Sequence, residues 1–125
     1  MKVSLLKDFF DQAITNSQLN EIITPEISNY KLLLSKKGSS VPIILQEDIQ
    51  LLVRKKDIAV LCEAYLNEEI TKYELMYIID ALQLSDNISF ENEELLDNAS
   101  ILTDPEVNGL LTKDMVYEVL QSCKA

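Results

Sequence analysis

Eight side chains in the C-terminal half of the chain could act together: Tyr73, Tyr77 and Asp80 at helical spacing, followed by Asp86, Glu91, Glu93, Glu94 and Asp97. Paired carboxylates can serve as general acid and base, but in a chain with 21 acidic residues such pairs arise by chance. The chain has no histidine. It also has no glycine-rich phosphate loop, no nucleophile elbow and no Cys/His ligand set, so no residue presents itself as catalytic, as a metal ligand or as a cofactor anchor. Recognition is the chemistry this set can do. Tyrosine supplies large contact area at low entropic cost, and the acids supply a field that complements a cation. The expectation is a binding protein, not an enzyme, with those eight residues facing its partner.

The distribution of charge sharpens that expectation. From Tyr73 onward eleven carboxylates face only Lys113 and Lys124, while the residues before Tyr73 carry nine basic and ten acidic side chains. The net charge of −10 therefore sits almost entirely on one half. Between Lys72 and Lys113 there is no basic residue at all, although solvated helices ordinarily intersperse lysines for i,i+4 pairing. Such a field attracts a cationic partner and repels nucleic acid and anionic membrane. Glu91, Glu93 and Glu94 also have a plainer reading as first-turn residues favoured by a helix dipole.

Asp104-Pro105-Glu106-Val107-Asn108-Gly109 resembles the start of a calcium loop, with acid, acid, Asn and Gly in the usual order. Met115 stands where a bidentate Glu should close the shell. A capped turn between two helices is the better account, and no metal is expected.

The elements that must hold these residues are read from apolar spacing and caps. Only two glycines and three prolines punctuate the chain, which favours helices joined by short loops. Leu5, Leu6, Phe9, Phe10, Ala13 and Ile14 mark a first helix. Thr24-Pro25-Glu26 predicts a cap with proline at the first helical position, opening a second helix through Ile27 and Tyr30. Lys36 to Pro42 reads as a flexible basic linker, and Ile43-Ile44-Leu45 as a short extended piece. Helices are predicted again over Glu47 to Lys56 and over Asp57 to Glu68. Thr71-x-x-Glu74 has the form of a capping box for a helix reaching Leu84. Ser89 to Glu94 caps a further helix, and Thr112 caps the last.

On the Thr71 to Leu84 helix, Leu75, Ile78, Ile79 and Leu82 fall on one side as a core stripe. Tyr73, Tyr77, Asp80 and Leu84 fall opposite. That second stripe is either a docking surface or the other buried face of a central helix with its hydroxyls satisfied at the edge. The fold class expected is all-α, a single-domain bundle of six or seven short helices spanning 1–125. No signal peptide or membrane-length apolar run is apparent, so the expected location is cytoplasmic. Cys62 and Cys123 belong to no metal-spaced set and are not expected to form a disulfide in a reducing compartment.

Tyr65-Leu66-Asn67-Glu68-Glu69-Ile70-Thr71, with Glu74-Leu75, Ile78, Leu82 and Leu84-Ser85, then Leu102, Asp104-Pro105-Glu106, Asn108-Gly109 and Leu111-Thr112, resembles small helical immunity proteins of bacterial contact-dependent growth inhibition and related polymorphic toxin systems. The resemblance covers the C-terminal half. It implies an intracellular antidote that binds and neutralises a cognate toxin domain, commonly a basic nuclease. The alternative is an acidic adaptor or DNA mimic that occupies a nucleic-acid-binding protein.

Overall fold

The computed structural model describes residues 1–34, 45–103 and 111–124. Among these, six helices and a small two-stranded sheet occur: α1 Val3–Phe10, α2 Asn16–Leu34, β1 Leu51–Val53, α3 Lys55–Leu66, α4 Lys72–Leu84, β2 Ile88–Phe90, α5 Glu93–Ser100 and α6 Lys113–Lys124. The predicted linker near 36–42 and the loop over 104–110, with Asp104, Pro105, Glu106, Asn108 and Gly109, lie outside the described residues. The chain is thus mostly helical, with a short parallel sheet that the all-α expectation lacked.

Local chemistry explains most of the helix boundaries. Thr71 and Glu74 form the capping box their spacing implies: the Glu74 N–H donates to Thr71 Oγ1 at 3.2 Å and the Thr71 N–H to Glu74 Oε1 at 3.0 Å. Asn92 caps α5 by accepting from the Leu95 N–H at 2.8 Å, and Thr112 caps α6 by accepting from the Met115 N–H at 3.2 Å. The α5 cap is therefore Asn92, while Ser89 and Phe90 belong to a strand. α1 and α3 both stop through a residue in the left-handed region, Gln12 at φ 60° and Glu68 at φ 61°. Around each, the bonds of a Schellman motif form: Ala13 N–H to Asp8 C=O and Gln12 N–H to Phe9 C=O, then Glu69 N–H to Ala64 C=O and Glu68 N–H to Tyr65 C=O. A chain poor in glycine thus ends two helices with residues that tolerate this conformation at a cost.

α2 corrects the expected start at Thr24. Its true opening is Thr15-x-x-Gln18, where the Gln18 N–H donates to Thr15 Oγ1 at 3.1 Å and the Thr15 N–H to Gln18 Oε1 at 2.9 Å. Pro25 lies inside the helix. Leu19, Ile23 and Tyr30 are buried on the face that Glu26 and Ile27 share, so one apolar stripe runs unbroken across the proline. Packing of that stripe outweighs the missing N–H of Pro25.

The stretch from Glu47 to Lys56 is also corrected: it is not helical before Lys55, where α3 begins. Leu51, Leu52 and Val53 alternate buried, exposed, buried, as a strand of period two requires. They pair in parallel with Ile88, Ser89 and Phe90, the connection passing through α3 and α4. Long-range polar contacts fix this register. Glu47 accepts from Ser85 Oγ at 2.6 Å and from the Asp86 N–H at 3.1 Å, and Asn87 Nδ2 donates to the carbonyls of Glu47 and Ile49. One residue earlier, Gln46 bridges to Lys2, and Asp48 caps α1 by accepting from the Ser4 N–H at 3.0 Å.

α4 is the central helix. Leu75, Ile78, Ile79 and Leu82 are buried as expected, but so are Glu74, Met76, Tyr77 and Ala81. α2 and α3 pack against it along with β2 and α5, while α6 lies along α3. Cys62, on α3, is buried in the same cluster, and that burial pushes its thiol up to about 12. Cys123 is half-buried in the last turn of α6.

Candidate functional site

The structure separates the eight candidate residues into two groups. Tyr77 and Asp80 face α2. The Tyr77 ring, 1% exposed, meets the Tyr30 ring edge-on with centroids 5.2 Å apart. Its hydroxyl donates to Glu26 Oε1 at 2.9 Å, an oxygen that also accepts from the Met1 ammonium at 2.7 Å. Tyr30 in turn donates to Asp80 Oδ2 at 2.9 Å. Burial, reinforced by the Asp80 carboxylate, holds the Tyr30 hydroxyl well above the usual phenol range. The second reading therefore holds for the middle of the stripe: around Tyr77 and Asp80 this face of α4 is an internal seam, Tyr77 offers no surface to a partner, and only Leu84 at the end of the stripe is exposed. Tyr73, half-buried at the end of that seam, has Lys31 Nζ and Lys72 Nζ each 5.1 Å from its ring centroid. Two cations that the helical wheel of α4 did not place on the stripe thus cover its ring.

Asp86, Glu91, Glu93, Glu94 and Asp97 form the other group, and all five are exposed. They follow one another from the α4–β2 turn through the first turns of α5. Glu93 and Glu94 occupy the first turn of α5, so the helix dipole accounts for their tolerance there. It does not account for Asp97, one turn beyond Glu93, where two like charges at i,i+4 oppose each other. Among the described residues, none of the five takes part in an ion pair. The two lysines of the acidic half pair elsewhere, Lys113 with Glu68 at 3.2 Å and Lys124 with Glu63 at 3.1 Å. Folding therefore spends the available cations on α3 and its C-terminal turn and leaves the α5 face negative.

One of these acids, Glu93, lines a cleft of about 330 Å³, walled also by Leu82 and Gln83 of α4, by all of β2, and by Asn92 and Leu96. Gln83 is held across its far end by donating to Ser100 Oγ at 2.6 Å and accepting from Thr103 Oγ1. Leu82, Ile88, Phe90 and Leu96 are its apolar lining, and Glu93 adds a carboxylate-bearing residue beside the polar Gln83, Ser89 and Asn92. Leu84, next along α4, is 68% exposed, the most exposed of the large apolar side chains among the described residues. Sequence reasoning passed over this cleft because β2 was absorbed into a helix cap. The signal was the Ile88-Ser89-Phe90 alternation, too short to separate from cap residues without its partner strand.

Other titrating groups serve the fold. Asp57, buried at the start of α3, accepts from the Arg54 N–H at 2.9 Å, and desolvation raises its carboxyl above the ordinary range despite that bond and nearby Lys56. Among the described residues no group of three or more His, Cys, Asp or Glu is placed to hold a metal ion, and no helix is long and apolar enough to cross a membrane.

Comparison with protein-family models, with curated proteins and with solved structures finds no match to this chain.

Proposed function

We propose that this chain is an immunity protein that binds a cationic toxin domain, of the basic-nuclease kind, and neutralises it by stoichiometric binding without catalysis. Exposed Asp86, Glu91, Glu93, Glu94 and Asp97 meet the toxin's cationic surface and stand in for the polyanion that surface ordinarily takes. Tyr77 and Asp80 keep α2 and α4 together behind that face and make no contact with the partner. One observation carries this reading: five exposed carboxylates, none in an ion pair among the described residues, follow one another on a stretch with no basic residue, and one of them, Glu93, lines a cleft. A face selected only for solubility and stability would intersperse lysines to relieve the Glu93 and Asp97 repulsion.

The test is capture followed by rescue. Tagged wild-type protein and the Glu93→Lys/Asp97→Lys variant are used to retrieve partners from the native cell, and each retrieved protein is then expressed with and without this chain. The expected result is one basic protein retrieved by the wild type alone, whose expression arrests growth and whose arrest the wild-type chain relieves. Retrieval of the same proteins by both forms, or a partner whose expression is harmless, contradicts the proposal. A harmless nucleic-acid-binding partner assigns the chain to the DNA-mimic class instead.

A further inference from the structure

The parallel register decides which backbone groups of β2 remain available. Leu51 pairs with Ile88, Leu52 with Ser89 and Val53 with Phe90, with the Leu51 N–H donating to Asn87 C=O and the Glu91 N–H to Val53 C=O. In this arrangement Ser89 turns both its N–H and its C=O toward β1. Ile88 and Phe90 turn theirs to the outer edge. The Ile88 N–H is met by Ser85 C=O at 3.3 Å, but the Phe90 N–H and C=O and the Ile88 C=O meet no partner among the described residues. All three residues of β2 line the same cleft as Glu93.

An unpaired strand edge is a template for another strand, and proteins that do not use it commonly cover it or place lysine on it. Here neither protection is present among the described residues, and the cleft that β2 lines has Glu93 and no lysine or arginine among its described lining residues. The outer edge of β1 differs: the cleft beside it, about 280 Å³, is lined by Lys7, Arg54 and Lys56 together with Asp11 and Asp57. The two edges of one small sheet therefore differ: paired cations and carboxylates mix beside β1, whereas Glu93 brings unpaired negative charge to the cleft beside β2. A cationic segment is therefore drawn to β2 more strongly than to β1.

Resting on the immunity reading, we infer that the partner docks by adding an extended, lysine- or arginine-bearing segment as a third strand beside β2. Its backbone pairs with Phe90 and with the Ile88 carbonyl. One apolar side chain enters the cleft between Leu82, Phe90 and Leu96, and its neighbours along the strand place cations against Glu93 and Asp97. Main-chain bonds give such docking its affinity, and the alternate side chains give it selectivity.

The probes are a capped Lys-Val-Lys-Val-Lys peptide and its fully N-methylated counterpart, which keeps the charge and loses the strand donors. The expected result is that the first peptide binds the wild-type chain and slows hydrogen exchange of the Phe90 amide by about tenfold. The N-methylated peptide binds at least about tenfold more weakly. Equal binding of the two peptides, no binding of either at millimolar concentration, or unchanged exchange at Phe90 overturns strand addition while leaving the electrostatic reading standing. Binding of the first peptide that Glu93→Lys does not weaken counts instead against the acidic face itself. Sedimentation of the free chain provides a further outcome: concentration-dependent association that protects Phe90 assigns the edge to a second copy and overturns the inference.

Discussion

The Tyr77 hydroxyl donates to Glu26 Oε1 at 2.9 Å from inside the α2–α4 seam. A tyrosine whose spacing allows a place among partner contacts is instead part of what holds two helices together. Tyr77→Phe should therefore act on stability, lowering it by about 1.5–3 kcal/mol as a bond to a charged acceptor is lost. Urea unfolding measures that change. Binding to the captured partner should stay within about twofold, because the Phe ring fills the same space.

Asp97→Lys should separate stability from function in the opposite direction. It replaces a like-charge i,i+4 pair on α5 with Glu93 preceding Lys, an arrangement that stabilises helices. Stability should rise by about 0.5 kcal/mol. Association with the captured cationic partner should slow at the same time, read by stopped-flow mixing at low salt. A variant both less stable and unimpaired in binding would show that Asp97 serves the fold.

The helix stops at Gln12 and Glu68 give a third expectation. Each residue sits at φ near 60° inside a Schellman motif, a conformation that glycine takes without steric cost. Gln12→Gly and Glu68→Gly should each stabilise the protein by about 0.5–1 kcal/mol after allowing for the looser unfolded chain. Glu68→Gly also removes the exposed Lys113 pair, and Gln12→Gly removes no ion pair, so a smaller gain at Glu68 measures that pair.

Asp57 should show itself in the pH dependence of stability. Its folded-state pKa is raised, chiefly by desolvation, so between the unfolded and folded values the native chain holds the extra proton. Its contribution to stability is fully present below the unfolded value and is lost as pH rises through the raised folded value. Asp57→Asn, which keeps an acceptor for the Arg54 N–H, should flatten that fall across the mildly acidic range in thermal unfolding followed by circular dichroism.

Much of the helical framework was legible in sequence because its signals are local. Thr71 and Glu74, and Thr112, announce their helices within four residues, and the Leu75, Ile78, Ile79, Leu82 stripe needs only the helical period. The Thr15 and Gln18 box was equally local, but Pro25 offered a competing start that packing of Leu19, Ile23 and Tyr30 overrides. β1 and β2 were not legible because each is three residues long and is defined by the other, 37 positions away in register. The Glu47 and Asn87 contacts that align them join segments that no local pattern connects. The site divides in the same way. Exposure of Glu93, Glu94 and Asp97 followed from composition, whereas the fate of Tyr77 depended on Glu26 and Tyr30, which only the fold brings near.

The association rate between this chain and its captured cationic partner, measured at two salt concentrations, tests the central claim most directly. For the wild type the rate should fall about tenfold or more between roughly 10 mM and 150 mM salt, as screening shortens the reach of the α5 face. For Glu93→Lys/Asp97→Lys the low-salt rate should be slower by a similar factor and nearly independent of salt. Equal rates and equal salt slopes for the two forms would contradict the assignment of this acidic face to the partner.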